Sequence, residues 1–154
     1  MSKIVTLGYE FAHDYTLIAI NSTLEDYKLA YFLNKELDIK LNCNPEGLEF
    51  NTKNCSFVIF NYDCLINYYS WSLIANKHIF TSVNADEISL FKEDTKTNYL
   101  IDEKREIDFF LKITGDCNTK SIHTIIEKVK NIKGVITSYS IDPLTLKSKD
   151  YLIF

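Results

Sequence analysis

Apolar and polar positions along this chain repeat with two periods, and each change of period marks an element. Residues 15–21 are a short apolar run rich in β-formers and predict a buried strand. Ser22, with Glu25 three residues on, has the spacing of a capping box, so a helix is expected to begin there. Tyr27, Ala30, Tyr31, Leu33 and Leu37 recur at helical spacing, and Leu29 and Phe32 widen the stripe to more than half the helix circumference. Leu37, Ile39, Leu41 and Cys43 then alternate as a short extended segment, and 44–47 has turn composition. Residues 56–62 and 68–75 predict a hairpin. In its second run Tyr69, Trp71, Leu73 and Ala75 share one face; Tyr68, Ser70, Ser72 and Ile74 share the other.

The pattern weakens over 76–98, where 85–91 predicts a turn or two of helix and 92–98 a polar loop. Residues 107–113 then predict a strand, broken by Gly115 and Asp116. Ile122, Ile125, Ile126, Val129 and Ile132 trace one helical stripe; Lys128, Lys130 and Lys133 sit toward its C-terminal end, and Gly134 is expected to supply a left-handed stop. Val135, Thr137, Tyr139 and Ile141 alternate as a strand, and 151–154 reads as a last short β run able to pair at a sheet edge. Two one-faced helices among half-buried strands predict an α+β fold: a two-layer sandwich with a mostly antiparallel sheet of about five to seven strands and two main helices on one face. A ferredoxin-like variant is the nearest template.

Composition narrows the picture. One domain, residues 1–154, is expected, large enough to bury roughly 70% of its unfolded surface without a disulfide or metal. Ten Phe, ten Tyr and one Trp against four Gly and two Pro favour a sheet-rich core with few tight turns. A net charge of −4, with Lys and Glu interspersed, argues against nucleic acid as a partner. No apolar run approaches the roughly 20 residues of a membrane helix, and residues 1–8 lack a signal-peptide pattern. Cys43, Cys55, Cys64 and Cys117 lack zinc-site spacing, so free thiols in a reducing cytoplasm are expected.

Around 101–109 an acidic pair, Glu103 and Asp108, brackets a charged turn between apolar runs. Ile101-Asp102-Glu103-Lys104-Arg105-Glu106-Ile107-Asp108-Phe109 resembles the signature of the IPExxxVDY family of small bacterial proteins, which has no established activity. Ile101, Glu103 and Asp108 match its named letters; Asp102 replaces Pro, Ile107 replaces Val and Phe109 replaces Tyr. Asp14 to Ile20, the 26–37 helix, Leu73 to Asn76 and Ile141 to Lys149 also resemble the family, so the likeness spans most of the chain. It implies a cytoplasmic bacterial protein and carries over no catalytic residue. Asp102 is itself a turn former, and Phe109 has no hydroxyl for chemistry, which points to packing.

Acid–base work by Glu103 and Asp108 would need convergent carboxyls and a partner; the residues read instead as a structural turn leading into a strand. His13, His78 and His123 are scattered, and Cys117 precedes a helix with no base in view. Phosphate-cradling glycine loops are absent. No catalytic, cofactor or metal residue is expected. Tyr68, Tyr69 and Trp71 are the candidate interaction face. The leading expectation is a non-enzymatic protein-interaction or accessory module, with a protein partner or a second copy of itself as a homodimer. The alternative is an ACT-like small-molecule-sensing module, suggested by two β-α-β passages of similar pattern.

Overall fold

The computed structural model describes residues 14–50, 55–83, 93–115 and 118–154. In chain order the strands and helices are β1 (Thr16–Ser22), α1 (Asp26–Leu37), β2 (Asn42–Cys43), β3 (Leu48–Phe50), β4 (Cys55–Phe57), β5 (Ile59–Cys64), β6 (Tyr69–Ala75), β7 (Lys77–Val83), β8 (Glu93–Tyr99), β9 (Phe109–Thr114), α2 (Thr119–Lys130) and β10 (Val135–Ile141). Short 3₁₀ turns lie at Asp102–Lys104, Pro143–Thr145 and Lys149–Leu152.

β1 and β9 carry apolar residues on both faces, so the sheet that buries them must be covered on both sides. They sit inside a six-stranded sheet of order β10-β1-β9-β6-β5-β2, with every pair antiparallel. The strands β10-β1-β9-β6, with helices following β1 and β9, form the β-α-β-β-α-β ferredoxin-like arrangement, to which β5 and β2 add an extension. This is the α+β sandwich that the hydrophobic pattern predicts.

On one face, Ile18, Ile20, Phe109, Leu111, Ile113 and Leu73 pack under both helices, which contribute Leu29, Ala30 and Leu33 from α1 and Ile126 and Val129 from α2. On the other face Leu17, Ala19, Ile74 and Phe110 are covered by Leu100, Ile101, Ile107, Leu146 and Leu152 from the connecting turns and the C-terminal segment. Among the described residues no helix longer than a 3₁₀ turn covers this second core; turns, the C-terminal segment and Phe57 of β4 close it.

Several local expectations are corrected. α1 starts at Asp26, with Glu25 at the cap making no side-chain bond there. Ser22 instead ends β1, its hydroxyl accepting from Leu24 N–H and donating to the Gly134 carbonyl, so it is committed to the sheet rather than to the helix. The buried stripe of α1 is Leu29, Ala30 and Leu33, while Tyr27 and Tyr31 are exposed: their hydroxyls reach water more cheaply than a core. Only Asn42–Cys43 of the expected 37–43 segment is strand. The expected 92–98 loop is, from Glu93 on, strand β8, paired with β7 in a two-stranded ribbon; its sequence, Glu-Asp-Thr-Lys-Thr-Asn-Tyr, carries no apolar alternation. Lys149–Leu152 is a 3₁₀ turn, so the expected C-terminal edge strand does not form there. The expected 85–91 helix turns, His13 and Cys117 lie outside the described residues.

Candidate functional site

The 101–109 turn is held from inside. Ile101 and Ile107 are fully buried in the second core, and Phe109 opens β9 on the helix face. Between them the 3₁₀ turn closes through Lys104 N–H to Ile101 O at 3.1 Å and Ile107 N–H to Lys104 O at 3.1 Å. Glu103 points away from Asp108: its Oε1 accepts from Ser148 N–H at 2.8 Å and its Oε2 from the Ser148 hydroxyl at 2.9 Å, tying the turn to the C-terminal segment. Burial alone would raise the Glu103 pKa, but the Ser148 and Lys147 backbone groups and the Ser148 hydroxyl outweigh it and hold the carboxyl below its usual range.

Asp108 serves different partners. Oδ2 accepts from Ser22 N–H at 3.0 Å and Oδ1 meets Lys77 Nζ at 2.7 Å, while its own N–H donates to Asn21 Oδ1 at 3.2 Å. It also borders a shallow cleft of about 350 Å³ with Glu25, Asp26 and Lys77. No three His, Cys, Asp or Glu side chains among the described residues converge as metal ligands. His123 is exposed on α2, and the His78 ring meets Phe57 edge-on at 6.2 Å. The Cys64 thiol, at the end of β5, is shifted below its usual pKa, chiefly by the Asn67 backbone N–H and then the Tyr62 hydroxyl.

The candidate interaction residues separate. Tyr69 and Trp71 pack partly buried against the helix-face core, following the period of β6. Tyr68 stands 87% exposed in the β5–β6 turn, at a φ of 56°, beside exposed Leu65 and Ile66.

A site not anticipated from sequence lies on the opposite sheet face. Cross-strand register places three rows of like-facing residues across β5, β6 and β9. The row Ile59–Ile74–Phe110 belongs to the core. The next two rows, Asn61–Ser72–Lys112 and Asp63–Ser70–Thr114, are polar throughout. They floor a groove of about 500 Å³ that Asn44, Gly47, Leu48 and Phe154 border. Ser72 donates to Asn61 Oδ1 at 2.9 Å.

Lys112 is the unusual member, an ammonium on a central strand with only 7% of its surface exposed. Nζ donates to Leu152 O at 2.6 Å and lies 4.7 Å from the Tyr15 ring centroid and 4.2 Å from that of Phe154. Such rings favour a cation over their faces. Among the described residues no carboxylate pairs with it, and burial lowers its pKa from the ordinary lysine value. A lysine whose folded pKa is depressed binds fewer protons when folded than when unfolded, so stability rises as pH climbs through the folded pKa toward the ordinary 10.5. Urea denaturation of the wild type and Lys112→Met between pH 7 and about 10.5 checks this. The wild type is expected to gain stability relative to the variant across that window, and parallel profiles would refute the assignment.

Comparisons against protein-family models, curated proteins and solved structures returned no match for this chain. No helix among the described residues is long and apolar enough to cross a membrane.

Proposed function

We propose that this chain is a small non-catalytic interaction or accessory protein, related to the IPExxxVDY family and working in the cytoplasm, that assembles with a second copy by adding a strand across β10. The observation that carries this reading is the edge itself. β10 ends the sheet order, and among the described residues nothing pairs with its outer side. Soluble proteins protect such edges with Lys, Pro or very short strands. β10 is seven residues long, Val-Ile-Thr-Ser-Tyr-Ser-Ile, without a charge or a proline, and Ile136 on it is 70% exposed.

The strand suits a copy of itself. Antiparallel pairing centred on Ser138 sets Ile136 opposite Ser140 and Thr137 opposite Tyr139. It also sets the two Ser138 side chains opposite one another, and the Ser138 hydroxyl is the buried side-chain polar atom that lacks a hydrogen-bond partner among the described residues. The exposed thiol of Cys43 and the partly exposed one of Cys64 suit a reducing setting.

Light scattering on a sizing column at tens of micromolar is expected to give twice the chain mass. Ile136→Lys with Ser140→Lys, both at exposed positions, sets like charges opposite each other and is expected to give a folded monomer with an unchanged far-ultraviolet spectrum. A monomeric wild type would overturn the reading. The polar groove beside Lys112 favours a second, compatible reading, small-molecule sensing.

A further inference from the structure

We propose that the groove binds a small zwitterion, its carboxylate seated against Lys112 and Ser72 and its amine turned toward Asp63. This rests on the sensing reading and adds the ligand class.

An ammonium has three N–H donors. Lys112 gives one to Leu152 O and lies over the Tyr15 and Phe154 rings, with no anion among the described residues to complete it. A desolvated, unpaired cation beside a cavity is an incomplete ion pair, and a carboxylate is the ligand group that completes it. Phe154 both covers the ammonium and borders the groove, so a ligand lying along the floor reaches Nζ without crossing the core.

The rest of the floor selects against other anions. Phosphate sites present Arg forks, helix N-termini or backbone nests, and this floor presents side-chain hydroxyls and an amide on three strands. Asp63 puts a negative charge at the outer row, which repels a dianion and attracts an amine. Lys112 and Asp63 lie two strands and one like-facing row apart, about 12 Å between Cα atoms at ordinary sheet spacings. Ser72 and Asn61 lie between them and offer a hydroxyl and an amide to the middle of the ligand.

The test is a two-dimensional amide NMR titration of the full chain with the protein amino acids, with neutral sugars and nucleosides as a second panel. For each amino acid that binds, the matching amine and the matching carboxylic acid follow. Saturable shifts centred on the groove strands are expected for at least one amino acid. Removing either charge from the ligand is expected to weaken binding at least tenfold. Lys112→Met should do the same, Lys112→Arg should stay within a few-fold of wild type, and Lys35→Met on the other side of the molecule should change nothing. Should Lys112→Met fail to fold, the ligand series on the wild type decides alone. Binding of a neutral compound in the groove, unaffected by Lys112→Met, would overturn the zwitterion assignment and leave sensing intact. No binding from either panel would overturn both.

Discussion

Asn76→Ala is expected to lower stability by about 3–5 kcal/mol, a large share of the whole for a domain of this size. Asn76 is completely buried at the point where β6 ends and the chain departs into the β7–β8 ribbon. Everything it bonds belongs to the segment by which the chain returns. Its backbone N–H donates to Asp108 O at 3.0 Å, and its carbonyl accepts from Leu100 N–H at 2.9 Å. Its side-chain amide donates to Lys104 O and Ile107 O, each at 2.9 Å, and accepts from Ile101 N–H at 2.9 Å. Truncation takes the Asn76 partner from Ile101 N–H and Ile107 O, at about 1–3 kcal/mol apiece before relaxation, and leaves Lys104 O with the Ile107 N–H alone. Asn76→Leu refills the volume and leaves the same groups unpaired, so it is expected to fall within about 1 kcal/mol of the alanine variant. Urea denaturation measures both, with the midpoint falling at constant slope. A loss under about 1 kcal/mol, or full rescue by leucine, would show that packing rather than hydrogen bonding holds the turn.

That clamp explains which parts of the fold were legible in the sequence. Strands β6 and β10 and helix α2 announce themselves by an apolar period, and strands β1 and β9 by near-continuous apolar runs buried on both faces. The 101–109 turn was legible as a turn, since Ile101 and Ile107 flank a charged run. Its holder was not, because a lone Asn after an apolar strand has no periodic signature and its partners lie 25 to 31 residues away. β8 was hidden for the opposite reason: Glu93–Tyr99 is polar in sequence up to its last residue, so its ladder with β7 left no alternation to read.

The groove shows a third kind of gap. Ser70, Ser72 and Ile74 were placed on one face by period alone, but which strands stand beside them depends on register, and register is not local. Asn61, Ser72 and Lys112 become a row only when β5, β6 and β9 are aligned. One trace was visible: Lys112 interrupts the apolar run Phe-Phe-Leu-Lys-Ile on a strand buried from Phe109 through Ile113. A charge there must either reach water or find a reason to remain, and charged side chains are seldom fully buried without a partner.

Gly134→Ala is expected to cost about 2–5 kcal/mol and to do so through two separable effects. α2 ends at Lys130, and Gly134 lies beyond its cap, Asn131, in a turn closed by Val135 N–H to Ile132 O at 3.1 Å. Its φ is 105°, a region open to glycine and strained for any residue with a Cβ. A Cβ built there would also lie 2.6 Å from Leu24 Cγ and 2.8 Å from Leu24 Cδ2. The turn cannot slide away from Leu24, because the Gly134 carbonyl accepts from Thr23 N–H at 2.9 Å and from the Ser22 hydroxyl at 3.0 Å, fixing the start of β10 to the end of β1. Leu24→Ala removes the atoms that collide and leaves the backbone angle as it was. In that background the Gly134→Ala penalty should fall to the strain alone, about 1–3 kcal/mol. Equal penalties in both backgrounds would assign the whole effect to φ, and loss of the penalty would assign it to Leu24. Because the turn sets where β10 begins, the strained variant is also expected to weaken self-association beyond what its stability explains, and unchanged dimerisation would detach the edge from the turn.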